Sequence, residues 1–299
     1  MEFKRLTIFT PTYNRAHLLP RLYASLVEQS CQEFTWLVVD DGSTDATEEN
    51  LKAFKAKGEI SMHYIKQVNQ GKHIAINNGV ELSQSELFFI VDSDDYLLPE
   101  AVTVVLQTHE AHGHLPKYAG LAGRRIYADG SFVEKPFDFE SKFEYNLKLR
   151  YDYKIFGDLA EVYLTSILKE YPFPSIENER FIPEGIVWNR IAKNYKLYFL
   201  NQGIYVCEYI EGGLSSKILK IRAESPQLSM LYYSELAAHE WTPYLQKIRS
   251  TINFWRFSFY SSIPFVKKLQ MVSFLRSLIA FPLAVMMFVK DKFQLKKLK

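Results

Sequence analysis

Three carboxylates fall within four residues in Asp92-Ser93-Asp94-Asp95, directly after the apolar run Leu87-Phe88-Phe89-Ile90-Val91. Like charges this close repel one another unless donors or a cation compensate, and hard oxygen ligands suit Mg2+ or Mn2+. Mg2+ is typically held by one or two carboxylates together with substrate phosphates. Asp92 and Asp94 therefore read as half of a site that a diphosphate would complete. An isolated Asp-x-Asp is more often a turn or a cap, because Asp and Ser are ordinary turn residues. Here the strand-end position and three companion segments favour the cation.

Those companions also follow strand-like runs. They are Thr10-Pro11-Thr12-Tyr13-Asn14-Arg15, Asp40-Asp41-Gly42-Ser43-Thr44-Asp45 and Asn69-Gln70-Gly71-Lys72-His73. In an open parallel sheet ligands bind beyond the carboxyl ends of the strands, so all four segments would line one edge. Lys72 offers a positive group toward the same phosphates. The first loop lacks GxGxxG and the chain contains no GxxxxGK[ST], so a dinucleotide fold of the Rossmann type and a P-loop both lose their phosphate cradle.

The elements that must position these loops alternate. Strand-like residues 6–9, 34–39, 62–65 and 87–91 are followed by helix-period residues 16–29, 45–57, 72–82 and 99–110. Strands apolar on both faces belong in a parallel sheet covered by helices, which right-handed crossovers make doubly wound. After about residue 115 the rhythm becomes mixed. A hairpin turn is expected at Asp129-Gly130, helices over 159–170 and 185–194, and two closing strands over 196–200 and 204–209. The expected fold class is α/β, a doubly wound, mainly parallel sheet with a mixed second half and a C-terminal helical extension.

The 299 residues are 47% apolar, enough for a large core, and 36 basic against 34 acidic residues give no global field for nucleic acid. Cys31 and Cys207 fit no zinc or CxxC spacing, and the N-terminal residues show no signal-peptide hydrophobic region. Both features suit a reducing cytoplasm. Near the C-terminus, the apolar run 277–289 contains Pro282 and is followed by Lys290, Lys292, Lys296, Lys297 and Lys299. It is shorter than the roughly 20 residues that span a bilayer. Two readings stay open for it: a peripheral helix at the inner face of the cell membrane, or packing on its own domain or in a homodimer.

Taken in order, Thr12-Tyr13-Asn14-Arg15, Asp40-Asp41-Gly42-Ser43-Thr44-Asp45, Gly71-Lys72 with Asn77, and Asp92-Ser93-Asp94-Asp95 resemble the donor-site motifs of family 2 glycosyltransferases. These are inverting enzymes of the GT-A fold, and the resemblance covers roughly residues 5–215. It implies a GT-A domain over 1–215, with a nucleotide-binding half at 1–115 and an acceptor-binding half at 116–215, and an extension over 216–299. It implies that Tyr13 flanks the donor base, that Asp41 accepts a hydrogen bond from it and that Asp40 supports the loop. It implies that Thr12, Asn14, Arg15 and Ser93 belong to the same donor pocket. Asp92 would bind the ribose side and Asp94 the metal, with Asp95 sharing that role or capping the next segment. Lys72 would face the diphosphate. The implied cofactor is Mg2+ or Mn2+ and the implied donor a UDP-sugar, with a saccharide or lipid-linked acceptor in surface polysaccharide biosynthesis.

Inverting transfer needs a base for the acceptor hydroxyl. Pro183-Glu184-Gly185, followed by Trp188-Asn189-Arg190, resembles the family's acceptor-side segment and makes Glu184 the candidate; a Glu that stabilises a helix N-terminus is the alternative. Trp188 is open between bounding the acceptor and filling the core. The run His109-Glu110-Ala111-His112-Gly113-His114 lacks HExxH spacing and reads as a solvated helix end. Two other classes remain as alternatives: a nucleotidyltransferase-like phosphate enzyme, whose basic glycine-rich first loop is missing here, and a non-catalytic glycan-binding protein, which would have no need of the acids.

Overall fold

The computed structural model describes residues 3–135, 137–208 and 217–297. Along the chain the elements are β1 (Leu6–Thr12), α1 (Leu19–Val27), β2 (Phe34–Asp40), α2 (Thr47–Lys57), β3 (Met62–Lys66), α3 (Lys72–Leu82), β4 (Leu87–Ile90), β5 (Tyr96–Leu97) and α4 (Ala101–His112). The second half has β6 (Tyr118–Ile126), β7 (Ser141–Glu144), α5 (Asn146–Asp152), β8 (Ala160–Leu164), α6 (Thr165–Glu170), α7 (Gly185–Ile191) and β9 (Lys196–Val206). Helices α8 (Ile218–Glu224), α9 (Pro226–Ala238), α10 (Tyr244–Ser258), α11 (Phe265–Gln270) and α12 (Phe274–Lys297) complete it.

The chain divides into two compact units, residues 1–172 with 190–209, and residues 173–189 with 210–299. The boundary expected at residue 215 lies outside the described residues. The first unit contains one nine-stranded sheet in the order β3-β2-β1-β4-β8-β6-β9-β5, with β7 paired to β9. Strands β1 to β4 are mutually parallel where they pair, as the alternating pattern predicts. Every residue of β1 and β2 is buried, as expected of parallel strands covered on both faces. Helix α1 lays Leu19, Leu22, Tyr23 and Leu26 on the sheet at helical spacing, and each large apolar side chain so buried contributes about 1.5–3 kcal/mol.

Two expectations for the second half fail. Residues 159–170 are not one helix: residues 160–164 form β8, inserted antiparallel between β4 and β6, and only 165–170 are helical. Val162 and Tyr163 are both buried, so a central strand without polar alternation mimicked a buried helix. Residues 196–206 are a single strand rather than two. Asn201-Gln202-Gly203, the gap between the two expected strands, coincides with a register shift against β6 near Ala122 and Arg124, an irregularity the ladder absorbs. Tyr209, the end of the second expected strand, lies outside the described residues. The turn at Asp129-Gly130 does form, with Tyr127 N donating to Ser131 O and Ile126 bridging Phe132.

The second unit has its own core of Met230, Phe254, Trp255, Ala280 and Ala284, contributed by α9, α10 and α12. Trp255 Nε1 donates to Ser277 Oγ at 2.9 Å, and Arg256 pairs with the buried Asp291 through two hydrogen bonds of 2.5 and 2.7 Å. No described helix is long and apolar enough to cross a membrane.

Candidate active site

The ends of β1, β2 and the segment after β3 are joined by a polar lattice. Asp40, fully buried, accepts Ser43 N at 2.8 Å and the Tyr64 hydroxyl at 3.2 Å. Asn14 adopts a positive φ of 53°; its amide donates to Ser43 Oγ and its Oδ1 accepts Thr44 N, both at 2.8 Å. Asp41 is 4% exposed and accepts Gln67 Nε2, Gln70 N and Gly71 N, each at 2.8 Å. Asp41 thus clamps the loop after β2 to the start of α3, where Lys72 is the first helical residue. Thr12 is buried at the end of β1 and its carbonyl accepts Asp41 N, whereas Tyr13 is 48% exposed.

From α3, Lys72 Nζ reaches Asp92 Oδ1 at 2.6 Å. Burial opposes ionisation of Asp92, but Lys72, Arg125 and Arg15 outweigh it and hold the carboxyl below its usual range. The four acidic-run residues form a turn closed by Asp95 N donating to Asp92 O, with Ser93 buried inside it. Each of Asp92, Asp94 and Asp95 offers an oxygen within 4.8 Å of the others.

The three carboxylates are not equivalent. Asp95 is 7% exposed and both its oxygens are occupied, Oδ2 by the Tyr205 hydroxyl at 2.7 Å and Oδ1 by Glu208 N at 3.2 Å. Burial first, and then the charge of Asp92, push its carboxyl up to about 7. Asp92 gives one oxygen to Lys72. The Asp94 carboxylate makes no hydrogen bond or ion pair among the described residues, although its carbonyl accepts Arg21 Nη2 at 2.5 Å. This set of hard oxygens, with Asp94 uncommitted, fits a divalent cation. Among the described residues it is the group of three or more potential ligands close enough to share one ion.

Two participants were not singled out in the sequence. Arg125, on β6, lies 3.9 Å from Asp95 Oδ2 and stacks over the ring of Tyr205 at 4.4 Å. Tyr205, on β9, is fully buried and its hydroxyl also accepts Asp92 N at 3.0 Å. A charged pair, Arg124-Arg125, inside an otherwise apolar strand was the available signal for Arg125. The histidine run needs correcting: His109 is buried rather than solvated, with Nε2 2.8 Å from Glu86 and Nδ1 3.2 Å from the Tyr118 hydroxyl.

Thr12, Tyr13, Asn14, Arg15, Asp41, Lys72 and the acidic run all belong to the first unit, whereas Glu184 belongs to the second. In that unit Glu184 is half-buried and its carbonyl accepts the amides of Val187 and Trp188 as α7 begins. The preceding segment is anchored to α9: Glu179 accepts Gln227 N and Leu228 N, and Ser225 Oγ accepts Arg180 N and Phe181 N. Trp188 is 7% exposed and meets Phe173 edge-on at 6.1 Å between ring centres.

The family model for glycosyl transferase family 2 matches residues 7–161, more than half of the chain. The chain belongs to this family. The family 2 chain is 25% identical to a GalNAc(5)-diNAcBac-PP-undecaprenol beta-1,3-glucosyltransferase of Campylobacter jejuni over 65% of its own length. It spans only 62% of that relative, and 31% of another bacterial glycosyltransferase. Two solved structures share its fold. Residues 1–349 of Staphylococcus aureus TarS, in complex with UDP-GlcNAc, superpose with a TM-score of 0.65 at 20% identity, covering 96% of this chain and 81% of that one. A Pyrobaculum calidifontis mannosyltransferase, in complex with GDP-Man and Mn2+, gives 0.59 at 16% identity, covering 98% and 89%. The architecture is the GT-A fold.

Proposed function

We propose that this family 2 chain is an inverting, metal-dependent glycosyltransferase that moves a sugar from a UDP-linked donor to a hydroxyl of a glycan or lipid-linked saccharide, in surface polysaccharide biosynthesis. The observation that carries the reading is the Lys72–Asp92 pair beside the uncommitted carboxylate of Asp94, at the carboxyl ends of parallel strands. The UDP-GlcNAc and GDP-Man complexes of the two structural neighbours support a nucleoside diphosphate donor, and the undecaprenol-linked substrate named for the Campylobacter relative supports a lipid-linked acceptor.

In this reading the exposed ring of Tyr13 flanks the base. Asp41 accepts three hydrogen bonds, so a carboxylate with about four acceptor positions keeps one for the base. Asp92 binds the ribose side. Asp94, with the second oxygen of Asp92, would hold Mg2+ or Mn2+, and Asp95 supports the turn. Bound there, the ion would stabilise negative charge on the departing diphosphate. Lys72 and Arg15 bring positive charge to the same group. Glu184 takes the proton of the acceptor hydroxyl as its oxygen attacks the anomeric carbon from the face opposite the diphosphate.

The test is release of nucleoside diphosphate from a panel of nucleotide sugars with Mn2+ and a saccharide acceptor. Asp94→Asn, folded as judged by circular dichroism, is expected to lose transfer and donor hydrolysis together. Full activity in that variant would overturn the mechanism.

A further inference from the structure

Helix α12 is apolar on two faces. One, with Ala280, Ala284 and Phe288, packs into the core of the second unit. The other carries Phe274, Leu275, Leu278, Ile279, Met286 and Phe293, all between 55% and 74% exposed. Spacings of three, four and seven residues align them as one stripe along the helix. In α11, Phe265 and Val266 are likewise more than half exposed. Monomeric soluble proteins rarely leave so continuous an apolar face in water, and such faces mark sites of interaction.

The charges of the same stretch say what would cover it. Between residues 259 and 297 the sequence holds one carboxylate, Asp291, which is 1% exposed and already paired with Arg256. Lys267, Lys290, Lys292 and Lys296 are exposed and Arg276 is half-buried. The segment thus presents apolar side chains and uncompensated cations together. A second copy seated on this stripe would bring like charges against like. An anionic lipid surface satisfies both features, since acyl chains receive the apolar stripe and headgroups receive the lysines. Because no described helix can cross a bilayer, the helix would lie in its plane.

We infer that α12, with the start of α11, is an interfacial membrane-docking element whose exposed apolar stripe enters an anionic bilayer surface. The property is separable from sugar transfer, because none of its residues belongs to the donor or acceptor machinery. Cosedimentation of the full chain with phosphatidylcholine vesicles, with and without about 30% phosphatidylglycerol, tests it. The chain is expected to bind the anionic vesicles at least about tenfold more tightly, and high salt should weaken that preference. The combined change Leu275→Glu, Leu278→Glu and Met286→Glu should abolish binding while leaving circular dichroism and transfer to a soluble acceptor intact. Lys290→Gln, Lys292→Gln and Lys296→Gln together should remove the preference for anionic lipid. The inference is overturned if the unaltered chain ignores anionic vesicles, or if the glutamate variant binds them equally. It is also overturned if the chain sediments as a dimer that the glutamate substitutions dissociate while no vesicle binding is found.

Discussion

The hydroxyl of Tyr205 donates to Asp95 Oδ2 at 2.7 Å and accepts the amide of Asp92 at 3.0 Å, so one fully buried phenol braces both ends of the acidic turn. Replacing it with Phe removes both bonds and leaves a buried carboxylate short of a donor. Tyr205→Phe is expected to lower unfolding free energy by about 1–3 kcal/mol in urea denaturation. Transfer should fall as well, because the turn that carries Asp94 loses its brace.

The unequal engagement of Asp94 and Asp95 predicts opposite signatures. Asp94→Asn should leave stability within about 0.5 kcal/mol, since its carboxylate has no hydrogen-bond partner among the described residues to lose. Its transfer rate should drop on the order of a hundredfold. Asp95→Ala should instead destabilise by about 1–3 kcal/mol, because the buried Tyr205 hydroxyl and the Glu208 amide lose their acceptor. Chelation should silence the unaltered enzyme and added Mn2+ should restore it.

Lys72 is placed by the start of α3 and held against Asp92 at 2.6 Å. Lys72→Gln removes charge from the proposed diphosphate site, and a charge-assisted bond is worth about 1.5–3 kcal/mol. Steady-state kinetics with varied donor should therefore show KM raised roughly tenfold or more. Lys72→Arg should recover part of the loss.

Two glycines separate backbone strain from crowding. Gly58 ends α2 at φ 66° with open space where a Cβ would stand. Gly42 sits at φ 83° with Asn69 N only 3.0 Å and Gln67 O 3.2 Å from that position. Alanine at 58 should cost about 1 kcal/mol, the left-handed penalty alone. Alanine at 42 should cost more and should also weaken donor binding, because it pushes on the segment that Asp41 clamps. Paired thermal and donor-titration measurements check both.

Burial first, then the hydrogen bond to Glu59 at 2.6 Å, pushes the Tyr23 phenol up to about 12. Its folded pKa exceeds the unfolded value of about 10, so its contribution to stability is complete below pH ~10 and is lost as pH rises through ~12. Urea midpoints measured across that window should fall, and Tyr23→Phe should flatten this part of the profile.

Much of the first half was legible in the sequence. The alternation of apolar runs with helix-period segments located β1 to β4 and α1 to α4 within a few residues, and Lys72–Leu82 at both ends. These signals are local, because a strand buried on both faces and a helix with one apolar stripe each write their period into consecutive residues. Residues 159–170 and 196–206 depart from the expected elements for the converse reason. Whether a short apolar run is a strand, or two adjacent runs are one strand, is decided by the neighbours that flank them in the sheet.

The same division holds at the site. The residue types, their order and their strand-end positions determined by themselves that Asp92, Asp94, Lys72, Asp41 and Tyr13 share one edge, since a parallel sheet puts every such loop on the same side. Only the tertiary structure decided which acid is uncommitted. Asp95 is claimed by Tyr205 and Glu208, more than a hundred residues away, and Asp92 is shared with Lys72, which leaves Asp94. The chemistry of one carboxylate among three adjacent ones depends on its burial and its partners, and those are set by packing rather than by neighbours in the chain.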